Sequence, residues 1–255
     1  MAFEIQEEGA FQYVEEGDGP VLLLLHGLFG ALSNWEPVLR YFSRHYKVVI
    51  PLLPIFSMPL RKTSVGGLSD HVHKFVQFKG YDQIHLLGNS LGGHVALVYV
   101  LEHEARVQSV VLTGSSGLYE NSMGGTVPKR GDYDYIRKKV EYTFYDPQTA
   151  SQELVDEVYA IVNDRSRAFR IVTMAKSAIR HNLSKEIAHI DVPVCLIWGR
   201  DDKITPPHVA EEFHERLKHS QIHWLDRCGH APMMERPEAF NTILSEFLLH
   251  IETRP

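Results

Sequence analysis

Short apolar runs alternate along this chain with stretches in which apolar residues recur every three or four positions, the pattern of a mostly parallel sheet with helices on its faces. Val48–Leu52, Ile84–Leu87, Val107–Leu112, Val194–Trp198 and Gln221–Leu225 are the expected strands. Most are too apolar to leave either face in water. The opening differs: Phe11–Val14 and Val21–Leu25 flank Glu-Glu-Gly-Asp-Gly-Pro, which reads as a turn between antiparallel strands. Leu68, Val72, Phe75 and Val76 share a helix face, and Val95–Leu101 continues a helix from a glycine-rich turn. Phe240, Ile243, Leu244, Phe247 and Leu248 mark a final helix entered through Pro237.

Between Leu112 and Val194 the pattern breaks, with no apolar strand-like run over about eighty residues where a whole strand-helix-strand unit needs about 30. The surplus, 117–190, opens with Gly/Ser-rich text that includes Met123-Gly124-Gly125-Thr126. It continues with helical patterns such as Leu154, Val155, Val158, Ile161 and Val162. It is expected to be a helical cap inserted into a core made of 1–116 and 191–255. Tyr119, Tyr133, Tyr135, Tyr142, Tyr145 and Tyr159 fall within it and suit half-wet positions, either packing the insertion onto the core or lining a substrate site.

The 255 residues, 44% hydrophobic and 23% charged, fit a globular domain rather than a disordered or fibrous chain. A formal charge of -6 argues against a nucleic-acid or anionic-membrane partner. Cys195 and Cys228 are too few for a disulfide framework, and the acidic N-terminus has neither the basic nor the apolar region of a signal peptide, so a cytoplasmic location is expected.

The strongest chemical signal is Gly88-Asn89-Ser90-Leu91-Gly92-Gly93, where a strand runs through G-x-S-x-G into a helix. A serine at the apex of so tight a turn takes a strained backbone conformation, and side chains at the flanking glycines would strike the neighbouring strand and helix. The helix beginning at Leu91 aims free N–H groups at whatever the serine attacks. Upstream, Val21–Leu25 ends in His26-Gly27-Leu28-Phe29-Gly30, a loop able to leave the Leu28 N–H unpaired beside that of Leu91. Two such donors would hold an oxyanion, each contributing on the order of 3 kcal/mol in a transition state. A serine nucleophile also needs a base and a carboxylate to orient it. Gly199-Arg200-Asp201-Asp202 and Cys228-Gly229-His230-Ala231 follow the last two strands, and loops leaving the carboxyl ends of parallel strands share one edge of the sheet.

These motifs, HGLFG, GNSLGG, WGRDDKITP and CGHAPMMERPEAF, resemble in order and spacing those of the α/β-hydrolase fold family, and the resemblance covers nearly the whole chain. It implies Ser90 as nucleophile, His230 as base and then acid, and Asp202 as the acidic partner, with neighbouring Asp201 the competing candidate. No cofactor is implied. Asn89 and WGRDD look like the meta-cleavage-product hydrolases, which break carbon-carbon bonds, and like related carboxylesterases. Ala231, however, stands where those carbon-carbon hydrolases usually carry tryptophan. Arg165, Arg167 and Arg170 either bind a substrate carboxylate, as in that branch, or form a solvated helix face. After Val48–Leu52, where many relatives carry an acid and glycines, this chain reads Leu52-Leu53-Pro54-Ile55-Phe56-Ser57-Met58-Pro59, expected to make a stiff, apolar pocket wall.

The resulting expectation is a serine hydrolase acting on a carboxylic ester or similar small carbonyl substrate with an apolar portion, with Phe29 and Asn89 as substrate contacts. The alternatives are a carbon-carbon bond hydrolase, a perhydrolase or acyltransferase, and a binding module without catalysis. Of the fifteen histidines only His230 is placed for catalysis; His26 is expected to brace the oxyanion loop, and His94 to be packed behind the elbow. His71 and His73, two residues apart, do not share a helix face, and no metal site is expected.

Overall fold

The computed structural model describes residues 4–30, 32–119 and 129–253. Eight strands form one sheet: β1 (Gln6–Glu8), β2 (Phe11–Glu16), β3 (Val21–Leu25), β4 (Lys47–Pro51), β5 (Ile84–Asn89), β6 (Val107–Thr113), β7 (Val194–Gly199) and β8 (Ser220–Leu225). Their spatial order is β1-β2-β4-β3-β5-β6-β7-β8, and from β4 to β8 every neighbouring pair is parallel. The seven expected runs all become strands, with ends shifted by up to two residues. β1 is an added polar edge strand whose sequence, Gln-Glu-Glu, carries no apolar signal.

The opening pair is arranged differently from the expectation. β2 runs antiparallel, but its partner is β4, which lies between β2 and β3, so the Glu-Glu-Gly-Asp-Gly-Pro link is a crossover and not a hairpin turn. The link passes the start of β4, where Lys47 N–H donates to Pro20 C=O at 3.0 Å. A local turn signal fixes a reversal of direction; it does not specify whether a third strand enters between the two arms.

α1 (Glu36–Phe42) and α9 (Pro237–Glu252) cover one face of the sheet; α2 (Val65–Lys79), α3 (Leu91–His103) and α7 (Pro207–Arg216) cover the other. β3 shows the division: Leu22 and Leu24 join the first core, Leu23 and Leu25 the second, as the two-residue side-chain period of a strand requires. α2 is closed at both ends, by the Ser64 hydroxyl accepting Gly67 N–H and by Gly80 in the left-handed region. α8 (Pro232–Glu235) is a single turn before α9.

Between β6 and β7 lie α4 (Tyr133–Glu141), α5 (Gln152–Asn163) and α6 (Arg165–Arg180). The segment closes on itself at its base, where Leu183 N–H donates to Gly117 C=O at 2.8 Å and the Asn182 amide to Leu118 C=O at 2.7 Å. The glycine-rich stretch Met123-Gly124-Gly125-Thr126 lies outside the described residues.

Candidate active site

β3 and β5 are neighbours in register, Leu25 opposite Gly88, so the HGLFG loop and the serine turn leave the same edge of the sheet side by side. β4 lies on one side of β3 and β5 on the other. The direction in which successive strands are added reverses here, and that opens a crevice at the strand ends. Ser90 has φ 56° and ψ -120°, one of two non-glycine residues with positive φ among those described. Its strained turn requires the glycines around it: a Cβ on Gly92 would lie 1.9 Å from Leu25 O, and one on Gly88 2.5 Å from the Gly92 backbone. The turn is held by Ser90 N–H donating to Thr113 C=O at 3.1 Å and by Ser90 C=O accepting from Gly93, His94 and Ser116.

Asp202 and His230 meet across the ends of β7 and β8. The Asp202 Oδ2 lies 2.9 Å from His230 Nδ1, and the two side chains are 0% and 9% exposed. The carboxylate is fixed by donors in its own turn: Ile204 N–H at 2.8 Å and Thr205 N–H at 2.9 Å reach Oδ1, and the Thr205 hydroxyl reaches Oδ2 at 2.8 Å. Asp201 points elsewhere and accepts from Cys228 N–H at 3.4 Å. The imidazole fits against the β6 turn because position 114 is glycine, with φ 52°; a Cβ there would lie 2.7 Å from His230 Nδ1. With Nδ1 turned to Asp202, any proton exchanged with a further group would pass through the opposite ring nitrogen, Nε2.

The histidine loop is braced from three sides. The Asn89 amide donates to both Thr113 C=O and His230 C=O at 3.0 Å, and His230 N–H donates to Thr143 C=O at 3.0 Å, between α4 and α5. The Glu235 carboxylate accepts Gly229 N–H at 2.9 Å and Ala231 N–H at 3.3 Å on one oxygen, and Tyr145 N–H at 2.7 Å on the other. Burial raises the pKa of this half-buried carboxyl, although the three amides oppose the shift. Thr205 and Glu235 were not singled out from the sequence. The available signals were a threonine three residues after the aspartate, and an acid five residues after the histidine, two positions before the Pro237 that opens the final helix.

Ser90 and His230 both line a cavity of about 180 Å³ between the sheet edge and the β6–β7 helices. Leu28, Phe29, Leu91 and Ile204 come from the core, and Val140, Phe144, Leu154 and Val158 from the helices; Asn89, Lys139, Tyr142 and Thr143 add polar atoms. Neither Leu28 nor Leu91 gives its N–H to a protein acceptor among the described residues. Buried His26 secures the first of these loops: its Nε2 accepts Leu53 N–H at 2.9 Å, so the proton sits on Nδ1, which faces Gly27 C=O at 2.9 Å. Burial lowers the His26 pKa and favours this neutral form.

Two sequence expectations meet a different geometry. The 52–59 segment contributes no residue to the cavity lining; Leu53, Ile55 and Met58 instead enter the core beside α2, and Leu53 props His26. Apolar residues without an acid bury themselves where they can, and here that is beneath the His26–Gly30 loop. Arg165, Arg167 and Arg170 are also absent from the lining: Arg170 donates to Met58 C=O, and the Arg167 guanidinium sits 5.5 Å from the centre of the Phe56 ring. Of the six tyrosines only Tyr142 lines the cavity, while Tyr133 and Tyr159 pack against each other with ring centres 5.0 Å apart. His94 is fully buried, its Nε2 3.1 Å from His181 Nδ1.

Residues 22–243 match the family model described as the alpha/beta hydrolase family. An alpha/beta hydrolase enzyme from the metagenome of lagoon sediments at Mar Chica, Morocco, is 42% identical with a TM-score of 0.81, over 98% of this chain and 99% of that one. A monoacylglycerol lipase of Xenopus laevis is 26% identical over 93% of this chain and 77% of its own length. A 2-hydroxy-6-oxo-6-(2'-aminophenyl)hexa-2,4-dienoic acid hydrolase of Metapseudomonas resinovorans is 28% identical over 93% of this chain and 87% of its own length.

Proposed function

The chain belongs to the alpha/beta hydrolase family, and we propose that it is a serine hydrolase that cleaves a carboxylic ester carrying an apolar acyl portion. One observation carries the reading: Ser90 opens into a mainly apolar cavity that His230 also lines, with Asp202 fixed on the far side of the imidazole. Ser90 attacks the carbonyl carbon while His230 Nε2 accepts its proton, and Asp202 stabilises the imidazolium that results. The Leu28 and Leu91 N–H groups take the oxyanion, each contributing on the order of 3 kcal/mol. Collapse expels the alcohol, protonated by His230, and leaves an acyl group on Ser90. Water activated by the same histidine then releases the acid.

In this reading the β6–β7 helices form a cap over the site and supply the apolar walls that accept the acyl chain. Phe29 is a substrate contact. Asn89, with its amide nitrogen committed to Thr113 and His230, acts by positioning the histidine loop.

A second reading, carbon-carbon bond hydrolysis, is favoured by the likeness to the hexadienoic acid hydrolase. Its substrate brings a carboxylate, yet Arg165, Arg167 and Arg170 do not line the cavity, so the ester is preferred. Labelling with a fluorophosphonate tests the nucleophile: the wild type is expected to label and Ser90→Ala not to, whereas equal labelling of the two ends the proposal. Turnover of an acyl-ester panel beside a ring-cleavage product then separates the two reactions.

A further inference from the structure

α6 has two working faces. Ile171, Met174 and Ala178 are buried, and Ala175 and Ala178 reach the cavity lining, whereas Phe169, Val172 and Ile179 point outward with 59%, 39% and 51% of their surface exposed. At 3.6 residues per turn Phe169, Val172, Lys176, Ile179 and Arg180 fall on one stripe about a third of the circumference wide. Arg165, at the start of the helix, continues it. The sequence of α6, RSRAFRIVTMAKSAIR, holds five cations and no acid.

The adjoining turn extends this surface. Leu60–Lys62 forms a short 3-10 turn in which Leu60 is 53% exposed beside Arg61 and Lys62. It is held against α6 by Arg170 donating to Met58 C=O and by Val65 N–H donating to the Ser177 hydroxyl at 3.2 Å. Among the described residues none of Arg61, Lys62, Arg165, Lys176 and Arg180 forms an ion pair. The acid that precedes the helix is engaged in its cap, Asp164 accepting Arg167 N–H at 2.9 Å.

We propose that the outer face of α6, with the Leu60–Lys62 turn, is a docking surface for an anionic lipid bilayer. Separate apolar side chains interspersed with unpaired cations suit a bilayer surface, where rings and branched chains enter the acyl boundary and ammonium and guanidinium groups stay among lipid phosphates. The formal charge of -6 argues against an anionic-membrane partner only as an average over the chain; what a bilayer meets is the local charge, and on this face it is positive. The inner face of the same helix lines the candidate active site, so docking would place that site next to the bilayer. The docking itself does not depend on which bond the enzyme cleaves.

The test uses the whole protein and sedimentation with vesicles of phosphatidylcholine alone or mixed with phosphatidylglycerol. Binding is expected to the mixed vesicles only, to weaken with added salt, and to fall about twenty-five-fold in Lys176→Gln/Arg180→Gln, since each cation near an anionic surface contributes about a factor of five. Phe169→Ser/Ile179→Ser is expected to lose binding while keeping the wild-type thermal unfolding curve. No binding to the mixed vesicles, equal binding to both kinds, or binding unchanged in both double variants would overturn the proposal. Self-association of the wild type that Phe169→Ser/Ile179→Ser abolishes, without vesicle binding, would assign the face to a second copy of this chain instead.

Discussion

Glu235 offers the most direct check on how the histidine loop is held. Its carboxylate is the acceptor for Gly229 and Ala231 on either side of His230 and for Tyr145 between α4 and α5, at 2.9, 3.3 and 2.7 Å. A hydrogen bond to a charged acceptor contributes about 1.5–3 kcal/mol. Water can replace part of that at a half-buried site, and the Ala231 contact is long, so the two short contacts at the low end of the range are counted. Glu235→Ala should therefore lower unfolding stability by about 3 kcal/mol. Glu235→Gln keeps one acceptor oxygen but turns an NH2 group toward backbone donors, and should cost about half as much. Because a displacement of about 1 Å at a reacting group can cost 100-fold in rate, kcat on an ester should drop between ten- and a hundred-fold in Glu235→Ala, with a smaller drop in Glu235→Gln. Urea unfolding gives the first quantity and steady-state kinetics the second. If Glu235→Ala stays within 0.5 kcal/mol of wild type, with about the wild-type kcat, the hydrogen bonds to this carboxylate do not hold the loop and the reasoning fails.

Other outcomes follow from the same geometry. Gly92→Ala, whose Cβ would lie 1.9 Å from Leu25 O, should fail to fold or lose more than about 3 kcal/mol; a soluble, fully active variant would contradict the close approach of β3 to the serine turn. Burial pushes the His94 pKa down to about 3, with nearby His181 adding to the shift, and burial pushes that of His85 down to about 4. Between these values and the ordinary 6.5 the unfolded chain binds protons that the folded chain refuses. Stability should therefore be fullest at neutral pH and decline as pH falls below about 6.5. Urea midpoints at pH 7 and 4.5 measure this, and His94→Gln should flatten the slope; an unchanged slope would remove His94 from the account. Single alanine variants of Arg165, Arg167 and Arg170 should leave KM for an acyl ester within about three-fold. A tenfold rise would place a guanidinium on the substrate.

The seven apolar strands, the serine turn and the loop order Ser90, Asp202, His230 were legible because each rests on a local rule. An apolar run of strand length has to be buried, and a positive φ at a serine between crowded glycines needs only a few consecutive residues. β1 carries no such signal because an edge strand needs no apolar face. The link at Glu15–Pro20 reads locally as a hairpin turn because nothing within it records that β4 occupies the place beside β2.

What only the tertiary structure decided is which side chains meet from distant parts of the chain. Two adjacent carboxylates have nearly the same local context, and only the family resemblance separates them in the sequence; the physical reason that Asp202 reaches His230 is the turn that fixes its oxygens through Thr205 and aims it across to the next loop, 28 positions on. Arg167 and Arg170 of α6 meet the Leu53–Met58 segment, and not the cavity, through packing of α6 against the residues before α2. The sequence by itself determined the elements and the chemistry they carry to the sheet edge, since backbone strain, periodicity and burial act over a few residues. Partnership between loops depends on how the whole sheet is ordered and covered, and that belongs to the fold.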